Sequence, residues 1–409
     1  MSTRNDPEHR QPLLHVALVL AGGPLCVPGL LVGAALTKDL SLGGAMLAAA
    51  VGCLGVTLYA GCTGALGART GRSTGELLYG VFGPLGARIV AGAIGVCLAG
   101  WYAIQTGFFG RTVHALFPEG GLLTSVEGAA LWGGLLMLIS ALFGFRGLAR
   151  LSVVAVPLIV LLTLTAVVKV AWAPDLWAEK PPRPGAFGAA VTMVFGSFAI
   201  GATVNPDMTR FCRSTAHAWI ATVVSFFFVS MYIFGCGAVT SLATGSGDLI
   251  TAMVGLGLGA FAFTTLVLSQ WTTNDNNIFY ATTSLGSVLP GVKRATLVLI
   301  FGGVATLAGV LGLADGFEGF LLWLGVLIPP IGGVMIAHHA LDHCRGVHST
   351  AAVTVPLPAV TGLLMGAMIG GTLEWGSSAV NSIVAAAAVY TLLRAVLKGQ
   401  YAAEPPQVR

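Results

Sequence analysis

Charge is what this chain is short of. Asp, Glu, Lys and Arg make up 9% of its 409 residues, and 56% are apolar. An ordinary soluble domain carries about 25% charged residues. So few charges cannot coat a water-facing surface around a core of this size, which excludes a soluble globular protein. The same figures exclude disorder, which needs low hydrophobicity and high charge. No basic run suited to nucleic acid appears. The seven cysteines (Cys26, Cys53, Cys62, Cys97, Cys212, Cys236, Cys344) stand singly, with no C-x-x-C pair. Most sit in apolar runs, where Cys behaves as a small hydrophobe, so neither a disulfide framework nor a metal site built on them is expected. An integral membrane enzyme would need carboxylates or histidines converging at membrane depth. Asp39, Asp175, Glu179, Asp248, Asp315, Glu318 and Glu374 instead fall in loops. A channel would need a continuous polar lining, and the polar residues here cluster at one level.

What the chain does have is apolar runs. They lie at roughly 13–37, 44–67, 84–116, 122–145, 149–172, 188–208, 217–243, 250–286, 295–314, 317–337, 351–371 and 377–398. A spanning helix takes about 20 residues. These stretches are long and continuous, so a β-barrel with its short alternating segments is disfavoured. The first run has no cleavage site after it and stays as helix 1. The expected fold is an all-α polytopic membrane protein with twelve transmembrane helices. One domain covers 13–398, between tails at 1–12 and 399–409. With the N-terminus inside, fifteen Lys and Arg fall on the inside, while Lys38, Arg111, Lys169, Lys180 and Arg183 fall outside. That asymmetry puts both tails in the cytoplasm, with the protein in the plasma membrane. The Pro-rich segment Lys180–Pro184 is the long external connector between helices 5 and 6.

Two stretches predict interrupted helices. Helix 1 carries Gly22-Gly23-Pro24 and then Pro28-Gly29; helix 6 carries Gly196-Ser197-Phe198, Gly201 and Asn205-Pro206-Asp207. Proline removes a backbone donor and glycine relaxes the backbone. Broken helices at corresponding places in two halves point to a transporter's central site. Helices 1 and 6 correspond if the first ten helices form two five-helix repeats of opposite topology.

Helix 8 holds nine residues, Ser269-Gln270-Trp271-Thr272-Thr273-Asn274-Asp275-Asn276-Asn277, with a single apolar ring among them. Such a run is costly in hydrocarbon unless it faces a cavity or binds something. Ser269, Thr272 and Thr273 recur at i, i+3 and i+4, so one face presents a carbonyl and two hydroxyls. Hard oxygens suit a small alkali cation, with carbonyls of a broken helix 1 completing the shell. Asp275 and Asn277 fit an interfacial position. In helix 3, Trp101 and Gln105 share a face, and an indole beside a carboxamide suits a flat heteroaromatic ligand. Phe198 offers a second aromatic face. His15, His338, His339 and His343 are expected at the interface or in solvent, and Arg72 and Glu76 in a structural cytoplasmic loop.

These residues resemble a known family. Trp271-Thr272-Thr273-Asn274-Asp275-Asn276 is similar to the same stretch in bacterial cytosine permeases of the nucleobase–cation symporter family. So are Gly196-Ser197-Phe198 followed by Arg210-Phe211, Arg69-Thr70-Gly71, Gly100-Trp101 and Ile328-Pro329-Pro330-Ile331-Gly332-Gly333. The resemblance runs in order along the whole chain. It implies the leucine-transporter type of fold, an inverted repeat of five helices (13–172) plus five (188–337) with two additional C-terminal helices (351–398). It also implies sodium-coupled uptake of cytosine or a related nucleobase-like ring by alternating access, by a monomer needing no cofactor beyond the coupling ion. Carried over, the sodium site falls on the carbonyls of Gly22, Leu25 and Ser269 and the hydroxyls of Thr272 and Thr273. The substrate site falls on Trp101 and Phe198, Ser197, main-chain groups up to Ile200, and Asn274 or Asn276, with Gln105 added from helix 3. The chain departs from the cytosine permeases at Leu98, where they carry a glutamine, at Ser269, where they carry asparagine, and at Ile200, where they carry serine. Gln105, four residues after the tryptophan, is similar in spacing to the hydantoin and allantoin branch. The alternative is a proton-coupled member using Asp275 or Asp207 to carry a purine, hydroxymethylpyrimidine, hydantoin or allantoin-like ring.

Overall fold

The computed structural model describes residues 10–177, 181, 183–247, 249–345, 349–351, 354–373, 375–397 and 401–403. Glu179, Lys180, Asp248 and Glu374 lie outside them, as do most of the two tails. The chain begins with α1 (Leu13–Gly22) and α2 (Val27–Leu36), which meet at 64° across a four-residue break. Gly22-Gly23-Pro24 ends α1 where the sequence predicts, and Pro28 sits in the first turn of α2. There its missing N–H costs nothing. α3 (Leu42–Thr70) starts on the Ser41 hydroxyl and stops at Gly71, whose φ of 64° turns the chain sharply.

α4 (Thr74–Leu116) opens on a capping box in which Ser73 and Glu76 bond each other's backbone. Gly83 (φ 68°, ψ 178°) followed by Pro84 breaks it, so Thr74–Phe82 is a separate segment ahead of the expected run from 84. α5 (Val126–Ala141) and α6 (Phe145–Val170) follow. α7 (Ala186–Thr203) is continuous through Gly196-Ser197-Phe198 and Gly201. The expected interruption falls at the Asn205-Pro206 end of that stretch and not at its glycines. The helix breaks later, at Val204-Asn205, before the single turn α8 (Pro206–Thr209). Glycine alone does not stop a packed helix, whereas Pro206 deprives it of the next donor.

α9 (Thr215–Thr222) runs through a π-helical stretch, Val223–Val229, into α10 (Ser230–Thr244). A short α11 (Leu249–Gly255) precedes α12 (Gly259–Val288) and α13 (Arg294–Val310). The next run is split by Ile328-Pro329 into α14 (Phe317–Leu327) and α15 (Pro329–Arg345). α16 (Leu357–Thr372) and α17 (Ser378–Val396) complete the helices. The assembly is all-α, as expected, with one small addition among the described residues: β1 (Ser349–Ala351) pairs antiparallel with β2 (Tyr401–Ala403), where the sequence puts the start of helix 11 and the tail.

Among the described residues seven helices are long and apolar enough to cross a membrane, or eight with α1 and α2 taken as one bent span. α5, α13 and α16 are apolar but shorter, and α12, with its polar stretch, is not in that set. Large apolar side chains such as Leu47, Leu58, Ile89, Val96 and Val304 point outward. An exterior of this kind suits lipid.

Helices approach closely at glycines. A Cβ on Gly33 of α2 would lie 2.1 Å from the Phe234 carbonyl oxygen, and one on Gly237 of α10 would lie 2.1 Å from that of Leu30. The two helices therefore touch backbone to backbone, as small residues allow in membranes. Gly33→Ala and Gly237→Ala should each destabilise the protein by at least about 1–3 kcal/mol, the usual cost of overpacking. Gly43→Ala, with open space around it, should leave the detergent melting temperature unchanged or slightly raised.

Candidate functional site

At the α1–α2 break the last carbonyls of α1 lose their helical partners. Side chains from distant segments satisfy them. The Thr273 hydroxyl donates toward the Gly22 carbonyl (3.0 Å) and the Gly23 carbonyl (3.3 Å), and the Thr272 hydroxyl lies 3.4 Å from Gly22 O. Asn276 Nδ2 donates to Val19 O at 3.0 Å. From the π-helical stretch, Ser225 Oγ donates to Leu20 O at 2.8 Å. A π-turn displaces side chains from α-helical register and often marks a functional site; here it brings a hydroxyl to the break.

Thr272 and Thr273 also lie 3.1 and 2.9 Å from the Ser269 carbonyl of their own helix. Four of the five oxygens assigned to sodium from the sequence, those of Gly22, Ser269, Thr272 and Thr273, are thereby drawn together. Leu25 lies in the linker of the break, its side chain fully buried. All five donors are neutral hard oxygens of the kind an alkali cation takes. The Thr272 proton has a resting place on Leu268 O (3.0 Å), which leaves lone pairs free for an ion.

Beside this cluster lies a cavity with about 590 Å³ of empty space, its mouth included. Leu98, Trp101 and Gln105 of α4 form one wall, and Ser197, Phe198, Ile200 and Gly201 of α7 another. Thr273, Asn276, Asn277 and Tyr280 of α12 form a third, and the break contributes Leu20, Gly23, Pro24 and Cys26. The α12 spacing is i, i+3, i+4, i+7, a single helix face. Trp101 is braced edge-on by Phe317 and Phe320 of α14, with centroids 5.9 and 5.7 Å away. Phe198 is braced by Phe226 and Phe234.

The cavity wall carries unmet hydrogen-bonding capacity. Gln105 Oε1 and Nε2, Trp101 Nε1 and Asn276 Oδ1 are buried without partners among the described residues. Buried polar groups are normally satisfied, so this concentration of unpaired donors and acceptors sets these side chains apart.

Most residues singled out from the sequence line this cavity. Asn274 does not. Its Nδ2 faces Tyr102 O, Thr106 Oγ1 and Met137 Sδ at 3.3–3.5 Å, between α4 and α5. Asn277, expected at the interface, is 9% exposed and lines the cavity instead. Asp275 is 1% exposed and sits near Ser140 and Arg294 rather than at a surface. His338 is corrected likewise. It is 1% exposed and belongs to a cluster with Asp342, Tyr390 and Arg394 that joins α15 to α17. Cys26, Asn277, Tyr280 and Phe226 escaped the sequence reading. For Asn277 and Tyr280 the signal was present, since they continue the Thr273 face by one turn and two.

Asp207 is fully buried. Its Oδ1 accepts from the Thr74 N–H at 2.7 Å, and its Oδ2 from the Ser284 hydroxyl at 3.3 Å. It ties α8 to the start of α4 and to α12.

A sequence model for permeases of cytosine/purines, uracil, thiamine and allantoin matches residues 8–355. The cytosine permease of Escherichia coli (strain K12) is 31% identical over 395 residues, which cover 95% of this chain and 92% of that protein. Among solved structures, Mhp1 is described as a nucleobase-cation-symport-1 family transporter in a closed conformation with bromovinylhydantoin bound. It superposes with a TM-score of 0.83 at 18% identity, over 98% of this chain and 96% of that one. A Na⁺-coupled sialic acid symporter in a substrate-bound outward-open state superposes with a TM-score of 0.72 at 12% identity, over 98% and 92%. The two structures share the fold. The chain is a multi-pass membrane permease, and it belongs to the family of permeases for cytosine/purines, uracil, thiamine and allantoin.

Proposed function

We propose that this permease takes up a nucleobase-like ring together with sodium by alternating access. One observation carries the proposal: the hydroxyls of Thr272 and Thr273 meet the freed Gly22 carbonyl at the helix break, beside a cavity that Thr273 lines together with two braced aromatic rings. Trp101 and Phe198 would stack on the ring faces. Gln105, Asn276 and main-chain groups near Ser197 and Ile200 would meet its polar edge.

Sodium would sit among the carbonyls of Gly22, Leu25 and Ser269 and the hydroxyls of Thr272 and Thr273. By joining α1 to α12 it would stiffen the wall on which the ring rests, so ion and ring would favour each other's binding. Twelve spans are our reading of the topology: the bent α1–α2 pair, the seven long helices, the three shorter ones and α12. Its first ten spans would form the inverted repeat, with α1–α2 and α7–α8 as the corresponding broken members and both tails cytoplasmic. The monomer is the proposed unit.

Proton coupling through Asp275 or Asp207 is the other reading. The two donors already bonded to Asp207 favour a structural part for it, and a ring bound equally well in sodium and in choline would revive proton coupling.

Thermal melting of the detergent-purified chain against cytosine, uracil, adenine, hypoxanthine, hydroxymethylpyrimidine, hydantoin and allantoin tests the reading, because a ligand that binds the folded state raises its stability. A shift with one ring that requires sodium is expected. In Thr272→Ala/Thr273→Ala that sodium requirement should vanish, and its survival would remove the proposed ion site. Trp101→Ala should weaken ring binding by about 1–3 kcal/mol, or about five- to 150-fold, the usual worth of stacking on an aromatic side chain. Stabilisation by sodium alone should persist in that variant.

A further inference from the structure

Asp275 belongs neither to the oxygen cluster at the helix break nor to the cavity lining. It is 1% exposed, and neither carboxylate oxygen has a hydrogen-bond partner among the described residues. A buried carboxylate is ordinarily paired or hydrogen-bonded, because an isolated one is costly to take out of water. Ser140 of α5 and Arg294 of α13 lie near it. The Ser140 hydroxyl already accepts from Trp271 Nε1 at 2.7 Å. Arg294 carries the opposite charge, and its Nη2 is likewise buried without a partner. No hydrogen bond joins the two charges.

Arg294 is seated elsewhere. Its Nη1 donates to the Ala141 carbonyl at 3.1 Å, and its guanidinium lies 5.1 Å from the centre of the Phe279 ring. Ala141 is the last residue of α5, so the arm rests on the negative end of that helix's dipole. The seat has room for it. Gly144, in the turn between α5 and α6, has a φ of 64°, and a Cβ there would lie 2.9 Å from Arg294 Nη1. The next residue, Phe145, opens α6. Its ring packs on Phe211, which follows α8, and on Phe279 of α12, with centroids 4.5 and 6.3 Å away. In the proposed topology this meeting of three rings lies at the cytoplasmic end of the cavity.

We infer that Arg294 is a latch with two seats, the α5–α6 turn and Asp275, and that its transfer from the first to the second accompanies opening of the cavity to the cytoplasm. The inference rests on the alternating access proposed above and gives it a device in named residues. On the turn, as here, Arg294 holds Phe145 against Phe211 and Phe279, and the cytoplasmic end is shut. On Asp275 it satisfies the carboxylate and lets the turn go. Each seat leaves one group unmet: the first a buried carboxylate, the second a helix end. Two discrete arrangements of this kind are what a switch needs.

The test reads how fast Cys26, which lines the cavity, reacts with a membrane-impermeant methanethiosulfonate in inside-out vesicles holding the full chain. Peptide mass spectrometry scores the modification at that residue. Asp275→Asn weakens the second seat and should slow the reaction about tenfold, the worth of one hydrogen bond to a charged group. Gly144→Ala crowds the first seat and should speed it. In an Arg294→Gln background neither substitution should change the rate further, because the arm through which both act is gone. A merely structural part for Asp275 and Gly144 would leave both effects in place.

An unchanged rate in Asp275→Asn, or effects that survive in Arg294→Gln, would overturn the latch and leave the transport reading standing. A wild-type Cys26 that never reacts from the cytoplasmic side would overturn the latch and the alternating access together.

Discussion

A helix that breaks inside a membrane leaves carbonyls that no water can reach. Each must find a donor in the protein, since an unsatisfied backbone group in hydrocarbon costs several kcal/mol. At the α1–α2 break Thr273, Asn276 and Ser225 supply the donors, from segments 200 or more positions away along the chain. Satisfying the break therefore fixes the mutual placement of α1, α12 and the π-helical stretch before α10. In the proposed reading the Gly22, Thr272 and Thr273 oxygens would make a shell for a hard cation, and Thr273 and Asn276 also line the cavity. The solution to a backbone problem is thus also the wall that an ion and a ring would share.

Other polar groups within the helices are anchored in the same economical way. Asp207 takes its bonds from a helix-initial N–H and a serine, which holds the short α8 turn against α4 and α12. Arg394 and Asp342 pair beside His338 and Tyr390. Buried charges are retained where they are paired or hydrogen-bonded, and these two sites fasten separate parts of the helical assembly. Apolar side chains face outward, while backbone-to-backbone contacts at Gly33 and Gly237 hold the helices close.

Much of this was legible in the sequence because it is local. Apolar runs marked where helices lie, and Gly22-Gly23-Pro24 marked where the first one stops. The i, i+3, i+4 spacing of Ser269, Thr272 and Thr273 put three oxygens on one face before any fold was known. Other features depend on partners far along the chain. Gly196 and Gly201 stay helical because nothing there removes a donor, so the break waits for Pro206. His338 is buried only because α17 arrives some fifty residues later with Tyr390 and Arg394. From the polar run Asn274 reads as a substrate contact and Asn277 as interfacial, whereas in the structure Asn277 lines the cavity and Asn274 does not. Which of them faces the cavity depends on how α4 and α5 pack, and the π-helical stretch carried no signal in its apolar sequence at all.

Sodium coupling in this permease depends on the freed carbonyls and threonine hydroxyls holding an ion. The most direct measurement is a sodium titration of the wild-type protein's melting temperature with no ring present, at constant ionic strength with choline as the replacement cation. A saturable rise with sodium and none with choline is the predicted result. A flat titration would contradict it, leaving the threonines as caps for a broken helix and nothing more.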